Sequence, residues 1–305
     1  MKTVIRVDHF LKDYGNGRGV FDASFEVMQG ETFGFVGING AGKTTTLRSI
    51  MGFIRPDGGS ASVNGLDCWR DSAKIKKTVG YIPGEIAFPD SPTGTAFLKR
   101  QADLMRLTDM SYAEHMISKL QLDPTANLKR MSKGMKQKTA IVAALMCDPD
   151  ILILDEPTTG LDPLMRASFV ELLEEEKKKG KTILMSSHMF DEVEDTCDRV
   201  ALIKDGRISS IVSVEEIKHH KDKTYKIEFH TKESYGSFIT SKIELKRLKP
   251  ELHQVIVKVC DGDINSFFKL LKNYDVKFLS EIKHTLDNYF KKQYKGESDD
   301  ESSII

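Results

Sequence analysis

The sequence has 305 residues, and its 45 lysines and arginines balance 45 aspartates and glutamates, so the formal net charge is zero. This length suits one large domain with a smaller one, and the balanced charge gives no reason to expect a nucleic-acid partner. The four cysteines are scattered without paired metal spacing, which is typical of free thiols in a reducing cytosol.

The N-terminus and the distribution of apolar residues bear on targeting. The opening stretch, MKTVIRVDHF, is charged and lacks an apolar core, so it does not resemble a signal peptide. No apolar run approaches the roughly 18 to 20 residues needed to cross a bilayer. We therefore expect any action on a membrane to depend on a partner.

Two strands are predicted before the first chemical motif, over residues 3–9 and 20–28. The second alternates apolar and polar positions, as a half-buried strand does. The turn between them contains Tyr14. An aromatic ring ahead of a nucleotide site can stack on a base, and an ordinary turn tyrosine is an equally good interpretation.

A phosphate-binding motif follows. Residues 37–44, GINGAGKT, fit the pattern of Gly, four residues, Gly, Lys and Ser or Thr, after an apolar strand predicted over residues 32–36. Glycines let the backbone curl until several N–H groups point at one anion, and a helix beginning near Lys43 adds the partial positive charge of its N-terminus. Lys43 would reach the β- and γ-phosphates, and the Thr44 hydroxyl would bind Mg²⁺. The predicted nucleotide-binding residues of this loop are Gly37, Asn39, Gly40, Ala41, Gly42, Lys43, Thr44 and Thr45.

Helical character dominates residues 85–147, after a short strand predicted over residues 78–82. Apolar residues recur at helical spacing through this stretch, which predicts an inserted helical subdomain. Its last helix should begin at Ser132 and finish before Pro149.

Two carboxylates end the next predicted strand, in the segment ILILDEP at 151–157. Four consecutive apolar residues suit a strand buried on both faces of a parallel sheet, and such sheets place ligands at the carboxyl ends of their strands. Asp155 would hold Mg²⁺, directly or through water, and Glu156 would orient and deprotonate an attacking water. The alternative is a strand followed by an acidic helix cap.

A further helix and strand lead to a histidine. Residues 165–179 have the charge pairs of a solvated helix, and residues 182–185 are predicted to form a buried strand, which Ser-Ser-His follows. His188 would then point into the ligand crevice, where it could contact a γ-phosphate or the attacking water. A structural or solvent-facing histidine is the alternative.

The pattern changes again near residue 222. Strand-like alternation and helical periodicity are mixed over residues 223–296, which predicts a small accessory α+β domain without a chemical motif. The acidic tail over residues 297–305 is predicted to be disordered.

The order of these motifs resembles the nucleotide-binding domain of ATP-binding cassette (ABC) proteins. The resemblance covers roughly residues 1–220. It implies an α/β P-loop NTPase cassette over residues 1–222, with a mixed sheet core, an antiparallel β subdomain and the helical insertion, and it implies ATP and Mg²⁺ as ligands. The motifs that carry it are the phosphate loop, the helical insertion, SKGMKQK at 132–138, ILILDEP at 151–157, TTGLDP at 158–163 and SSH at 186–188.

Further site roles follow from the same resemblance. The segment MSKGM at 131–135 occupies the family's signature position, so Ser132 and Gly134 would bind the γ-phosphate of ATP held by a second copy of the domain. Residues 160–162 match the loop that crosses the dimer interface, and His188 matches the switch histidine.

This sequence departs from the family pattern at two places. Lys133 and Met135 differ from the usual signature, so that site should be weaker or differently tuned. The family's Gln loop maps to residues 83–85, where no glutamine is present, and Glu85 is the candidate substitute for its metal and water contact.

The resemblance also implies a function. The chain would be an ATP-hydrolysing subunit that dimerises on ATP, with a second copy or with a different ATPase, and drives a separate integral-membrane permease. The C-terminal extension and the YIPGE and SKGMKQK variants look like the ATPase subunits of ABC-2-type exporters, including bacterial drug and peptide-antibiotic resistance transporters. Such a subunit would be cytoplasmic and peripheral on the inner face of the membrane. The alternative is a soluble ABC ATPase that acts on nucleic acid, the ribosome or a cofactor-assembly scaffold.

Overall fold

The computed structural model describes residues 2–218, 222–283 and 285–295. The chain divides into two compact units, one ending at Val214 and the other starting at Glu215. The predicted acidic tail over residues 297–305 lies outside the described residues.

The elements of the first unit are, in chain order, β1 (Thr3–Asp13), β2 (Gly19–Met28), β3 (Thr32–Val36), α1 (Lys43–Ile50), β4 (Gly58–Val63), β5 (Leu66–Asp67), α2 (Ser72–Ile75), β6 (Val79–Ile82), α3 (Gly94–Met105), α4 (Ser111–Lys119), a 3₁₀ turn (Leu128–Arg130), α5 (Lys133–Leu145), β7 (Ile151–Asp155), α6 (Pro163–Lys178), β8 (Thr182–Ser187), α7 (Phe190–Thr196), β9 (Arg199–Lys204) and β10 (Arg207–Ser213). A short helix, α8 (Val214–Lys218), spans the division between the units.

Two sheets build the first unit. An antiparallel sheet has the order β2-β1-β4-β5, and a six-stranded sheet has the order β10-β9-β3-β8-β7-β6. In the larger sheet β9, β3, β8, β7 and β6 run parallel and β10 is an antiparallel edge. The predicted α/β fold with a mixed sheet, an antiparallel β subdomain and inserted helices is therefore confirmed.

The three central strands of the larger sheet carry the site. Every residue of β3, β7 and β8 is buried, because helices and the second sheet cover both faces, and this explains their continuous apolar sequences. The parallel register pairs Val36 with Ser187 and Asp155 with Ser186. The loops after these strands therefore leave the sheet at one common edge.

The helical insertion begins later than the sequence predicts. Residues 85–93 are irregular, and α3 starts after Thr93, whose Oγ1 accepts the Ala96 N–H at 3.1 Å. A threonine at this position satisfies an N–H that the helix cannot. Strand β1 also continues to Asp13, beyond the predicted end at residue 9.

The second unit contains β11 (Asp222–Phe229), α9 (Lys232–Ile239), β12 (Glu244–Lys249), a 3₁₀ turn (Pro250–Leu252), β13 (Gln254–Cys260), a 3₁₀ turn (Asp261–Asp263), α10 (Ile264–Leu271), β14 (Val276–Ile282) and α11 (Leu286–Lys295). Its sheet has the order β12-β13-β11-β14 with every pair antiparallel, which is the ferredoxin-like βαββαβ arrangement. Its core packs Tyr225, Ile227 and Phe229 of β11 against Phe238 and Phe267 of the two helices.

None of the helices in the described part of the chain combines the length and the apolarity needed to cross a membrane.

Candidate nucleotide site

The phosphate loop connects β3 to α1 and depends on two glycines for steric reasons. A Cβ atom at Gly37 would lie 2.3 Å from the Ile203 carbonyl oxygen. Gly42 has φ +110°, and a Cβ there would lie 2.8 Å from Val20 Cγ2. Both positions exclude any larger residue. The loop can therefore pack tightly against its neighbours and present its N–H groups together.

Lys43 is the central cation of the site. Only 5% of the residue is exposed. Its Nζ donates to the carbonyl oxygens of Gly37 at 2.6 Å and Ile38 at 3.2 Å. The same Nζ lies 3.3 Å from Glu156 Oε1. The lysine is therefore held over the loop, within reach of an anion bound there.

The other predicted residues of the phosphate loop precede or follow Lys43 directly in the sequence, and they differ in burial. Asn39 and Gly40 are exposed, Ala41 is buried, and Thr44 and Thr45 are half-buried in the first turn of α1. Thr46, which the sequence analysis did not select, is buried and donates its hydroxyl to the Gly42 carbonyl at 3.0 Å.

Asp155 ends β7 as a fully buried carboxylate. Ser186 Oγ donates to its Oδ1 at 2.6 Å, whereas Oδ2 has no hydrogen-bond partner among the described residues. A Cβ at Gly84 would lie 2.9 Å from that Oδ2, so the loop after β6 passes close to the carboxylate. Burial, with the negative charge of Asp155 adding to it, raises the pKa of Tyr81 to about 12, which keeps the neighbouring phenol neutral.

Glu156 has a left-handed backbone, with φ +49°. This conformation is uncommon for a residue with a side chain, and here the Glu156 N–H donates to the Ser186 carbonyl at 3.1 Å. Strained residues of this kind cluster at functional sites. The turn directs the carboxylate toward Lys43, while its other oxygen meets His188 and Thr159.

His188 follows β8 and contacts the same carboxylate. Its Nδ1 lies 2.5 Å from Glu156 Oε2, and the Thr159 hydroxyl donates to that oxygen at 3.3 Å. The structure therefore brings Lys43, Glu156 and His188 together from three separate loops.

Ser132 and Gly134 lie elsewhere, at the start of α5. Ser132 is exposed and caps the helix by accepting the Met135 N–H at 3.2 Å. A Cβ at Gly134 would lie 2.9 Å from the Gly160 carbonyl oxygen, so this helix packs directly on the 158–163 loop. No hydrogen bond or ion pair within residues 2–218 joins Ser132 or Gly134 to the phosphate loop.

Tyr14 and Glu85 are both exposed. Tyr14 is 52% exposed, and Lys12 Nζ lies 5.6 Å from the centre of its ring. Glu85 takes part in no hydrogen bond or ion pair among the described residues. The roles predicted for them in base stacking and metal contact stay predictions.

The sequence analysis did not identify Glu192, a buried acidic residue that contacts Ser187, the residue before His188. Ser187 Oγ donates to Glu192 Oε2 at 2.6 Å, and it accepts the Met189 N–H at 3.0 Å. Burial raises the pKa of the Glu192 carboxyl. The one available signal was the pair of serines ending an otherwise apolar buried strand.

Comparison with known proteins agrees with this geometry. The family model described as "ABC transporter" matches residues 20–159. The linearmycin resistance ATP-binding protein LnrL of Bacillus subtilis is 34% identical over 213 residues, which are 68% of this chain and 68% of that protein. This chain belongs to the ABC transporter ATP-binding family.

Two further comparisons extend the similarity of this ABC protein. The bacitracin transport ATP-binding protein BcrA of Bacillus licheniformis is 29% identical over 305 residues, covering 97% of this chain and 99% of that protein. A solved structure of the ATP-binding subunit of an ABC transporter matches with a TM-score of 0.65 and 30% identity, covering 71% of this chain and 92% of that one. The predicted ABC family membership is confirmed, and the chain is an ATP-binding ATPase.

Proposed function

We propose that this ABC ATPase is the motor subunit of an exporter, which dimerises on ATP and drives a separate integral-membrane permease. The convergence of Lys43, Glu156 and His188 on one point carries the ATPase part of this proposal. The similarity to BcrA, which extends along nearly the whole chain, supports the transport part.

The three side chains divide the work of hydrolysis. The Glu156 carboxylate lies between Lys43 and His188. A γ-phosphate would attract Lys43 and accept a hydrogen bond from His188, which leaves Glu156 free to orient and deprotonate a water. Because the lysine is 5% exposed, its charge is poorly screened and acts strongly on a bound phosphate.

Thr44 and Asp155 fit the Mg²⁺ ion that accompanies ATP in this family. A buried carboxylate oxygen without a partner is costly unless a donor or cation meets it, and Asp155 Oδ2 is such an oxygen among the described residues. We propose that Thr44 and Asp155 hold the ion, with Glu85 as a further candidate contact. The ion would neutralise phosphate charge, as in other P-loop enzymes.

Ser132 and Gly134 are proposed to complete the site of a second copy. They lie at the N-terminus of a helix of 13 residues, whose dipole and unpaired N–H groups favour an anion. Packing of this helix on the 158–163 loop would make both move together when two copies close on ATP.

Tyr14 would stack on the adenine. Phosphate release would remove the charge that bridges the copies.

A cavity of about 500 Å³ is the proposed docking place for the permease. It lies between the loop after α2 and the helices α3 and α5, and its lining includes Lys76, Lys77, Phe88, Phe97 and Cys147. A cytoplasmic helix of the permease would place apolar residues there and carboxylates near the lysines. The subunit would then sit on the cytoplasmic face of the membrane. The permease would select the exported substrate, whether drug, peptide antibiotic, lipid or ion, and the second unit would be an accessory domain.

Affinity purification from detergent-solubilised membranes tests this proposal. The tagged Glu156→Gln protein, kept in ATP, should recover a multi-span membrane protein in a stoichiometric amount. A matched Lys43→Ala sample should recover the same membrane protein, because its docking cavity is unchanged, but less of a second ATPase copy, because it binds ATP more weakly. Recovery with only a ribosome, a nucleic acid or a cofactor-assembly scaffold would refute the exporter role and support the alternative class of soluble ABC ATPase.

A further inference from the structure

Glu192 is an acidic side chain at a position where burying a charge is energetically costly. It lies in α7 and is 4% exposed. Its Oε1 has no hydrogen-bond partner among the described residues. Burial raises the pKa of this carboxyl against the opposing effects of the Ser187 hydrogen bond, Thr158 and Arg166, and the charge of Glu156 adds to the rise. An apolar side chain would occupy this site at lower cost, so stability alone does not account for a glutamate here.

The contact that Glu192 does make reaches the backbone around His188. Ser187 Oγ donates to Glu192 Oε2 at 2.6 Å and accepts the Met189 N–H at 3.0 Å. Ser187 and Met189 are the residues immediately before and after His188. The serine hydroxyl therefore holds together the two ends of the short segment that contains the histidine.

Glu192 fixes the direction of this hydroxyl. Once the hydroxyl proton points at the carboxylate, a lone pair of the oxygen is left facing the Met189 N–H. Without an acceptor at Glu192, the hydroxyl is free to turn, and the bond that holds the segment weakens. The His188 side chain is 46% exposed, so packing restrains it only in part and its backbone matters more.

We propose that Glu192 is a positioning residue for His188, acting through Ser187, so that the backbone of the histidine is held where its imidazole lies beside Glu156 and can reach a bound γ-phosphate. The structure supports this through an unbroken path, from Glu192 to Ser187, across the Ser187–Met189 hydrogen bond, and from His188 to Glu156 at 2.5 Å. The inference rests on the proposed role of His188 in hydrolysis. Among the described residues, no hydrogen bond joins the Glu192 side chain to the phosphate loop, Glu156 or His188.

The proposal predicts a specific kinetic pattern. Glu192→Met removes the acceptor but keeps an apolar side chain of similar length, and Ser187→Ala removes the hydroxyl. Each should lower kcat for ATP hydrolysis by the full chain roughly 10- to 100-fold, the loss expected when a catalytic group is displaced by about an ångström. The KM for ATP should change less than about threefold, because the phosphate loop is untouched.

Two further variants separate positioning from folding. Glu192→Gln keeps an oxygen that can accept from Ser187, so it should retain kcat within about threefold of the parent. Adding Glu192→Met to His188→Ala should cause no additional loss, because residues that act through one another are not additive. Asp191→Asn, an exposed neighbour on the same helix, is the matched control and should behave as the parent.

Each outcome bears on the proposal. A parental kcat in Glu192→Met, an equal loss in Glu192→Gln, or the same loss from Glu192→Met with and without His188 would overturn it. If His188→Ala itself keeps the parental kcat, the proposed role of the histidine fails first. If His188→Ala is impaired and Glu192→Met is not, only the inference about Glu192 fails.

Discussion

Replacing Glu156 by glutamine should separate ATP binding from ATP hydrolysis. Glutamine keeps the size of the side chain but cannot accept a proton from water at neutral pH. A positioned general base contributes about 100- to 10,000-fold to a rate, which corresponds to about 2.7 to 5.4 kcal/mol of activation free energy. We therefore expect kcat for ATP hydrolysis to fall by that factor.

The same substitution should strengthen ATP binding. Glu156 Oε1 lies 3.3 Å from Lys43 Nζ, and at an effective dielectric constant near 20 the Coulomb attraction between such charges is about 5 kcal/mol. Desolvation offsets most of an attraction of this kind, and we take about 1 kcal/mol as the net Lys43–Glu156 attraction that a bound phosphate must replace. Its loss should lower the Kd for ATP about fivefold.

Titration with a fluorescent ATP analogue measures the affinity, and a single-turnover assay measures hydrolysis. Light scattering with ATP and Mg²⁺ should then show a persistent Glu156→Gln dimer. Glu174→Gln, an exposed acid on α6, is the control and should match the parent in all three measurements. Hydrolysis within tenfold of the parent would refute the role of Glu156, and an unchanged Kd would refute its competition for Lys43.

Three further substitutions test binding and stability. Lys43→Ala removes a charge-assisted contact worth about 1.5 to 3 kcal/mol, so nucleotide titration should give a Kd about 10- to 100-fold higher, and an unchanged Kd would contradict the placement of the lysine. Glu176→Gln removes the buried carboxylate that pairs with Lys181 and Lys179 but leaves Lys181 its contact with Asp148, so denaturant unfolding should lose about 1 to 3 kcal/mol, and a neutral result would show that Asp148 by itself holds the lysine. Glu192→Gln tests a pH dependence of stability. In the folded state the pKa of the Glu192 carboxyl lies above its ordinary 4.5, so the folded protein binds this proton more tightly than the unfolded chain does. The stability of the wild type therefore falls as the pH rises from the unfolded pKa through the folded pKa. The gain in Tm of Glu192→Gln over wild type should therefore be larger at about pH 8 than at about pH 5, and an equal gain at both would contradict the burial of a titrating carboxyl.

The sequence by itself determined the parts whose chemistry is local. A phosphate loop needs glycines, a lysine and a hydroxyl at fixed positions within one short segment, so GINGAGKT can be identified from the sequence. The segment ILILDE can be predicted in the same way, because a strand buried on both faces must be apolar until it reaches the edge of the sheet where the ligand binds. Ser132 was likewise predicted as the start of its helix, since a serine cap is a local arrangement.

The elements of the second unit could be predicted only in part from the sequence. The sequence analysis did not predict helix α9 or the strands β12 and β14 individually. Strand β12, for example, is a charged edge strand with only two apolar residues. The order β12-β13-β11-β14 depends on pairings between strands that are distant in the chain, and a mixture of helix and strand signals does not specify it.

Only the tertiary structure decided which groups meet at the site. The closeness of Gly37 to the Ile203 carbonyl explains why that position requires glycine, and no local pattern contains it. The pairing of Lys43 with Glu156 follows from the order of three parallel strands. Glu192 is a charged residue in a short helix with acidic neighbours, and by sequence it would be assigned to the surface. Packing of α7 against the sheet buries it beside Ser187, because burial depends on the whole fold rather than on the residue.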